Sequence, residues 1–181
     1  MNPPWLGQEL IVIGITTPIP HNREAARLQV REALRQSLAT LLGCCADEVL
    51  LVSQPAQGLR VSVPGRQIGL SLSHESGLSL GAINPHGAVG IDLMRIEPQE
   101  DWESVARNYL GPAAFQRIAR APGHQLAEIF AREWVAYEAS LKCHGISLDE
   151  WSPALDRVLL QCHVRKIDMP QGVVAALAVK R

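Results

Sequence analysis

The chain has 181 residues, 47% of them hydrophobic and 19% charged. That length builds one domain, or two small halves sharing a core, without disulfides or metals to hold it, and the apolar content excludes disorder. Seventeen Lys+Arg against eighteen Asp+Glu leave a net charge of −1; a dedicated nucleic-acid binder carries a basic excess, so no nucleic-acid partner is expected.

The basic residues are chosen unevenly, with lysine only at Lys142, Lys166 and Lys180. Genome base composition explains that bias more simply than a need for planar, forked phosphate binders. The longest apolar runs, Leu10–Ile15 and Val173–Val179, fall far short of the roughly 20 residues of a membrane span, and Met1–Trp5 lacks a signal-peptide pattern, so no membrane is expected. Cys44, Cys45, Cys143 and Cys162 form no C-x-x-C and no zinc spacing. A reducing cytoplasm fits them best.

Glu9–Ile15 is short and β-branched and reads as a strand, broken by Pro18 and Pro20. Asn22 caps a predicted helix to Leu42, with Leu28, Leu34, Leu38 and Leu41 at core spacing and Gly43 as its stop. Short strands are predicted at Val49–Ser53, Arg60–Val63 and Leu70–His74, the last two flanking a Pro64-Gly65 turn. Gly77–Ile83 and Ala88–Met94 follow, joined by the turn signal Asn84-Pro85-His86-Gly87. Helices are predicted over Asp101–Leu110, from Pro112 to Arg120, and over Gln125–His144 with Gly145 as its stop. Arg157–Ile167 and Val173–Val179 are the expected closing strands. A common rhythm, a long helix followed by strands, and the spacing of Ala26-Arg27 to Ala131-Arg132 give a weak repeat signal. We expect one compact α+β body, residues 1–181, made of two halves of about 1–86 and 87–181.

Three places hold residues able to do chemistry. Asp92 lies in the apolar Val89-Gly90-Ile91-Asp92-Leu93; it is either a strand-end acid bonded to a turn or a charge that is paired or binds a cation. Trp134, Glu138 and Lys142 are spaced four apart and share one helix face. Glu138 and Lys142 then form either an ordinary solvent-exposed pair or a pair at the edge of the packed stripe of Phe130, Trp134, Tyr137 and Leu141. Ser73-His74 reads as a structural pair or as an anion binder. A Ser-His-Asp hydrolase is excluded by the absence of a G-x-S-x-G elbow.

Together, Gly65-Arg66-Gln67, Ser73-His74, Gly90-Ile91-Asp92 and Trp134-x-x-x-Glu138-Ala139-x-x-Lys142 resemble the 4′-phosphopantetheinyl transferase family, from about Arg23 onward. The chain looks closest to a short member of the larger type. The resemblance implies a fold of two similar helix-plus-antiparallel-strand halves related by a pseudo-twofold, acting as a monomer. It implies transfer of the phosphopantetheine arm of coenzyme A to a serine of an acyl or peptidyl carrier protein of fatty-acid or polyketide synthesis, with release of adenosine 3′,5′-bisphosphate. By resemblance Asp92 and Glu138 bind Mg²⁺, Glu138 assists proton removal, and Lys142 contacts the phosphates. Ser73 and His74 match the pair that holds the 3′-phosphate, and Arg66 stands near the adenine end. The arginine ladder Arg23, Arg27, Arg31 and Arg35 is either a solvated face or, through residues such as Arg31, part of the nucleotide site.

Three departures stand out. Met94 occupies the place of a metal-binding acid, and a thioether is a poor Mg²⁺ ligand. Tyr137 replaces the usual Lys before the helix Glu, and Arg66-Gln67 replaces Lys-Pro. Met94 and Tyr137 favour the alternative of a weak or inactive homologue that binds a carrier protein or coenzyme A. A metal-dependent hydrolase using Asp92 and Glu138 is a third reading.

Overall fold

The structure, a computed structural model, describes residues 10–17, 23–54, 58–64 and 66–181. Met1–Trp5, Glu9, Pro18, Pro20, the Asn22 cap and Gly65 lie outside the described residues, as does the side chain of Arg23. The elements are β1 (Ile11–Thr16), α1 (Arg23–Leu42), β2 (Leu51–Gln54), β3 (Gly58–Val61), β4 (Gly69–Glu75), β5 (Leu78–Asn84) and β6 (Val89–Arg95). They continue with α2 (Trp102–Val105), α3 (Gly111–Ala119), α4 (Leu126–His144), α5 (Pro153–Leu159), β7 (Cys162–Ile167) and β8 (Val173–Lys180). A π-type turn, Ala106–Leu110, joins α2 to α3.

This is a mixed helix and antiparallel-sheet architecture. One three-stranded sheet has the order β1-β5-β4 and another β6-β8-β7, while β2 and β3 pair separately. Each three-stranded sheet puts its last strand in the centre. In the first, Ile13 faces Gly81 and Leu72 faces the same Gly81 from the other side. In the second, Asp92 pairs with Ala176.

The helices end as the sequence predicts, on Gly43 and Gly145, both in the left-handed region that favours glycine. Helix α1 buries Ala26, Val30, Leu34 and Leu38 at intervals of four. Leu28, expected in that core, is 63% exposed; two residues from Ala26 and Val30, it points about 200° away from their stripe. The expected strand start at Arg157 is also corrected. Residues 153–159 are helical, because Ser152 accepts the Leu155 N–H and Pro153 suits the first turn, and the strand begins at Cys162.

Helix α4 packs onto β6 and β8 through Ala131, Val135, Ala139 and Cys143, against Ala176 and Ala178. The small residues let helix and sheet approach closely. Gly90 is the tightest point: a Cβ there would lie 1.9 Å from the Ala139 carbonyl oxygen and 2.5 Å from the Cys143 nitrogen. Both obstacles are backbone, so neither can rotate away. Gly90→Ala should therefore lower unfolding stability by about 3 kcal/mol, the upper end for overpacking, whereas Gly123→Ala, with open space around it, should change it little. Urea unfolding of the two variants checks this.

Candidate active site

β4 and β6 run past each other without forming a backbone ladder. Serine side chains on one face of β4 take the place of carbonyls: the Ile91 N–H donates to Ser71 Oγ at 3.0 Å, and the Leu93 N–H to Ser73 Oγ at 3.2 Å. Both hydroxyls are buried, so they satisfy backbone donors that would otherwise be left unpaired. Ser73 Oγ in turn donates to Asp92 Oδ1 at 2.7 Å.

Asp92 therefore lies in the middle of β6, not at a turn. Its side chain is 9% exposed, and its counter-charge is Lys142 Nζ, 2.7 Å from Oδ1. Lys142 reaches down from α4 and also approaches the carbonyl oxygens of Ile91 at 3.2 Å and Leu72 at 3.4 Å. Three ammonium protons thus meet three acceptors on both sides of the seam. The solvent-exposed Glu138–Lys142 pair is replaced by this buried Asp92–Lys142 pair, because α4 lies directly on β6.

A groove of about 690 Å³ opens over the seam. Ser73, His74, Asp92, Met94, Trp134, Glu138 and Lys142 line it, with Arg27 and Arg31 along α1. Burial raises the Glu138 carboxyl above its ordinary range; the Asp92 carboxylate adds to the effect and Lys142 opposes it. Two carboxylates that feel each other in one groove are a hard-oxygen pair that a divalent cation would relieve, so the donor set fits one. The described residues assemble no cluster of three or more His, Cys, Asp or Glu. Any such ion would draw its remaining ligands from water or substrate oxygens.

The other expected residues are distributed as follows. His74 Nδ1 is 2.8 Å from the buried Ser79 Oγ, which fixes the ring in the groove wall. The single hydroxyl proton of Ser73 is committed to Asp92. Arg31 donates to Ser53 Oγ at 2.8 Å and to the Leu51 carbonyl at 3.0 Å, tying α1 to β2 at the groove edge. Arg35 pairs with Glu32 and Asp47. Arg66 lines a neighbouring cavity instead, beyond a turn closed by its N–H on the Val63 carbonyl.

Tyr137 is 9% exposed and turns away from the groove. Its hydroxyl donates to the Asp149 carbonyl, and burial, with Asp149 and Glu138 adding to the effect, pushes its pKa up to about 12. It anchors the segment after α4, whose Ile146 and Ser147 line the groove. Sequence reading missed Ile146 and Ser147, which follow the Gly145 stop, and the seam role of Ser71. The two-residue spacing of Ser71 and Ser73 on one strand face was the signal for Ser71.

The sequence model of the 4′-phosphopantetheinyl transferase superfamily matches residues 88–169, spanning β6 to the end of β7. The resemblance read from the motifs holds over these residues. Among curated relatives, the 4′-phosphopantetheinyl transferase HetI of Nostoc sp. is 37% identical over 75 residues, 41% of this chain and 32% of that protein. The provisionally named 4′-phosphopantetheinyl transferase slr0495 of Synechocystis sp. is 28% identical over 120 residues, 65% of this chain and 48% of that protein. The chain spans about a third to a half of the length of these relatives.

Removing one partner of a buried pair strands the other charge at a cost of about 3–5 kcal/mol, while replacing both is far milder. Lys142→Met should accordingly destabilise the fold by about 3 kcal/mol, and Lys142→Met with Asp92→Leu should cost clearly less than the two single changes summed. A double-mutant cycle by denaturant unfolding checks the coupling.

Proposed function

We propose that the groove binds coenzyme A and transfers its 4′-phosphopantetheine to a serine of a carrier protein. One observation carries the reading: Asp92, Glu138, Lys142 and His74, drawn from three separate elements, converge on a single groove edged by Arg27 and Arg31. That combination suits a pyrophosphate with a nucleotide at one end and an attacking hydroxyl at the other.

The chain's residues divide the work. Arg27, Arg31 and His74 hold the nucleotide phosphates, and Lys142 places its charge beside the bridging oxygens. Glu138, with its carboxyl raised above its ordinary range by burial, accepts the proton of the carrier serine as the serine oxygen bonds to the β-phosphorus. The bond from that phosphorus to the adenosine-side phosphate breaks, and adenosine 3′,5′-bisphosphate leaves. Asp92 and Glu138 would hold Mg²⁺, which neutralises and orients the pyrophosphate when bound. Met94 offers no oxygen, so a water would have to supply the ligand there.

The shared order of the two sheets, with the last strand central in each, supports two halves related by a pseudo-twofold. On this reading the protein is a cytoplasmic monomer of the holo-carrier-protein-synthase kind. Among the described residues no helix is long and apolar enough to cross a membrane.

The test is incubation with coenzyme A, Mg²⁺ and a panel of apo carrier proteins of fatty-acid, polyketide and peptide synthesis, read by intact mass. One carrier should gain the phosphopantetheine mass. Glu138→Gln should slow that transfer by about 10²–10⁴-fold, the usual range for a positioned base. Met94→Glu should lower the Mg²⁺ concentration needed for half-maximal transfer. Transfer that survives Glu138→Gln unchanged would contradict the mechanism. Modification by Met94→Glu alone, never by the natural chain, would instead favour the inactive binding homologue.

A further inference from the structure

Two of the four cysteines meet inside the protein. Cys143 lies in the last turn of α4 and Cys162 opens β7. Both are buried in the cluster where α4 covers the second three-stranded sheet. The strand register brings them together. Gly90 faces Ala178, which faces Val164, and the next pair on the same face is Lys180 with Cys162. A Cβ on Gly90 would lie 2.5 Å from the Cys143 nitrogen, so Cys143 stands over the first of these rows and Cys162 lies in the second. With only Gly90 and Ala178 beneath it, the end of α4 sinks close to the sheet, and the two thiols hydrogen-bond to each other.

The two sulfurs are unlike. The hydrogen bond from Cys143 holds the Cys162 thiol below its ordinary range, and the charges of Lys180 and Arg181 add to the effect while burial opposes it. The same hydrogen bond, with burial, holds the Cys143 thiol up. Cys162 is therefore the nucleophile and Cys143 the partner that keeps its proton. A cavity of about 400 Å³, bordered by Gly145 and Lys180, has Cys143 in its wall, which gives a molecule of a few atoms a way in. Neither cysteine lines the groove, so the transfer chemistry does not use them.

We propose that Cys143 and Cys162 form an oxidisable dithiol, a modification site separate from the groove, that hydrogen peroxide converts to a disulfide. The Cys162 sulfur attacks one peroxide oxygen and the O–O bond breaks. The other oxygen leaves as hydroxide and takes up the thiol proton, so one water is released and Cys162 becomes a sulfenic acid. The Cys143 sulfur then attacks the Cys162 sulfur, the S–O bond breaks, and the hydroxyl leaves with the Cys143 proton as a second water. The peroxide is reduced to two waters and the two thiols are oxidised to one S–S bond of ~2.05 Å. That bond ties the last turn of α4, which carries Lys142, to β7. In a reducing compartment such a bond is transient and reports oxidant.

The experiment treats the full folded chain with hydrogen peroxide, blocks remaining thiols with iodoacetamide in urea, and digests with trypsin without reduction. Cleavage after Lys142, Arg157 and Arg165 puts Cys143 and Cys162 on separate peptides, while Cys44 and Cys45 share a third, residues 36–60. The expected product is peptide 143–157 joined to peptide 158–165, the main disulfide between peptides and one that dithiothreitol removes. The same treatment of the chain unfolded in urea should scatter these two cysteines among all partners, Cys44 and Cys45 included. In Cys143→Ala, Cys162 should stop at the sulfenic acid, which dimedone traps as the chain is opened. The proposal is overturned if the folded chain keeps Cys143 and Cys162 as free thiols at a peroxide dose that oxidises the 36–60 peptide. It is equally overturned if the joined peptides are no more abundant from the folded chain than from the unfolded one, or if either cysteine gains two or three oxygens without the bond forming.

Discussion

The structure turns on one buried charge. Asp92 lies in mid-strand between Ile91 and Leu93, both buried, where an unpaired carboxylate would be severely penalised. Ser73 and Lys142 remove that penalty with two bonds of 2.7 Å. Neither partner is on the same strand, so satisfying Asp92 brings together β4, β6 and α4. The glycine at position 90 is what allows the helix close enough for Lys142 to reach.

Stability and chemistry consequently share atoms. The Lys142 ammonium that neutralises Asp92 also ties the carbonyls of Leu72 and Ile91 across the seam. The same charge opposes the upward pull of burial on Glu138. An anion arriving in the groove would compete with Asp92 for Lys142, and a cation arriving beside Asp92 would compete with Lys142. Binding therefore redistributes contacts that already hold the two sheets together. Tyr137 contributes from behind, since its hydroxyl fixes the segment carrying Ile146 and Ser147 without entering the groove. A lysine in its place would lose that buried anchor.

Much of the fold was legible because it is local. The alternating strands, the glycine stops and the stripe of Phe130, Trp134, Tyr137 and Leu141 all obey short-range rules of spacing. The helix over residues 153–159 was missed although Ser152-Pro153 announced it, because the apolar run at 158–160 reads equally well as a strand. Leu28 was misplaced by counting leucines without following their angle around the helix. In the site, the resemblance identified Asp92, Glu138, Lys142 and His74, and the groove gathers all four. Their partners were not legible. That Lys142 pairs with Asp92 rather than with Glu138, four residues away, depends on how α4 lies on β6, which no local spacing encodes. The hydroxyl bonds of Ser71 and Ser73 to β6 depend likewise on a contact between strands 20 residues apart in sequence.

The central claim is that Asp92 and Glu138 jointly face one cation in the groove over this seam. Anomalous diffraction from crystals grown with Mn²⁺ and coenzyme A tests it most directly, because it locates the metal without reference to activity. The account predicts one strong peak bonded to carboxylate oxygens of both Asp92 and Glu138 and to pyrophosphate oxygens, with no bond to Met94. A peak elsewhere, or coenzyme A bound in the groove with no metal at these two carboxylates, would contradict it.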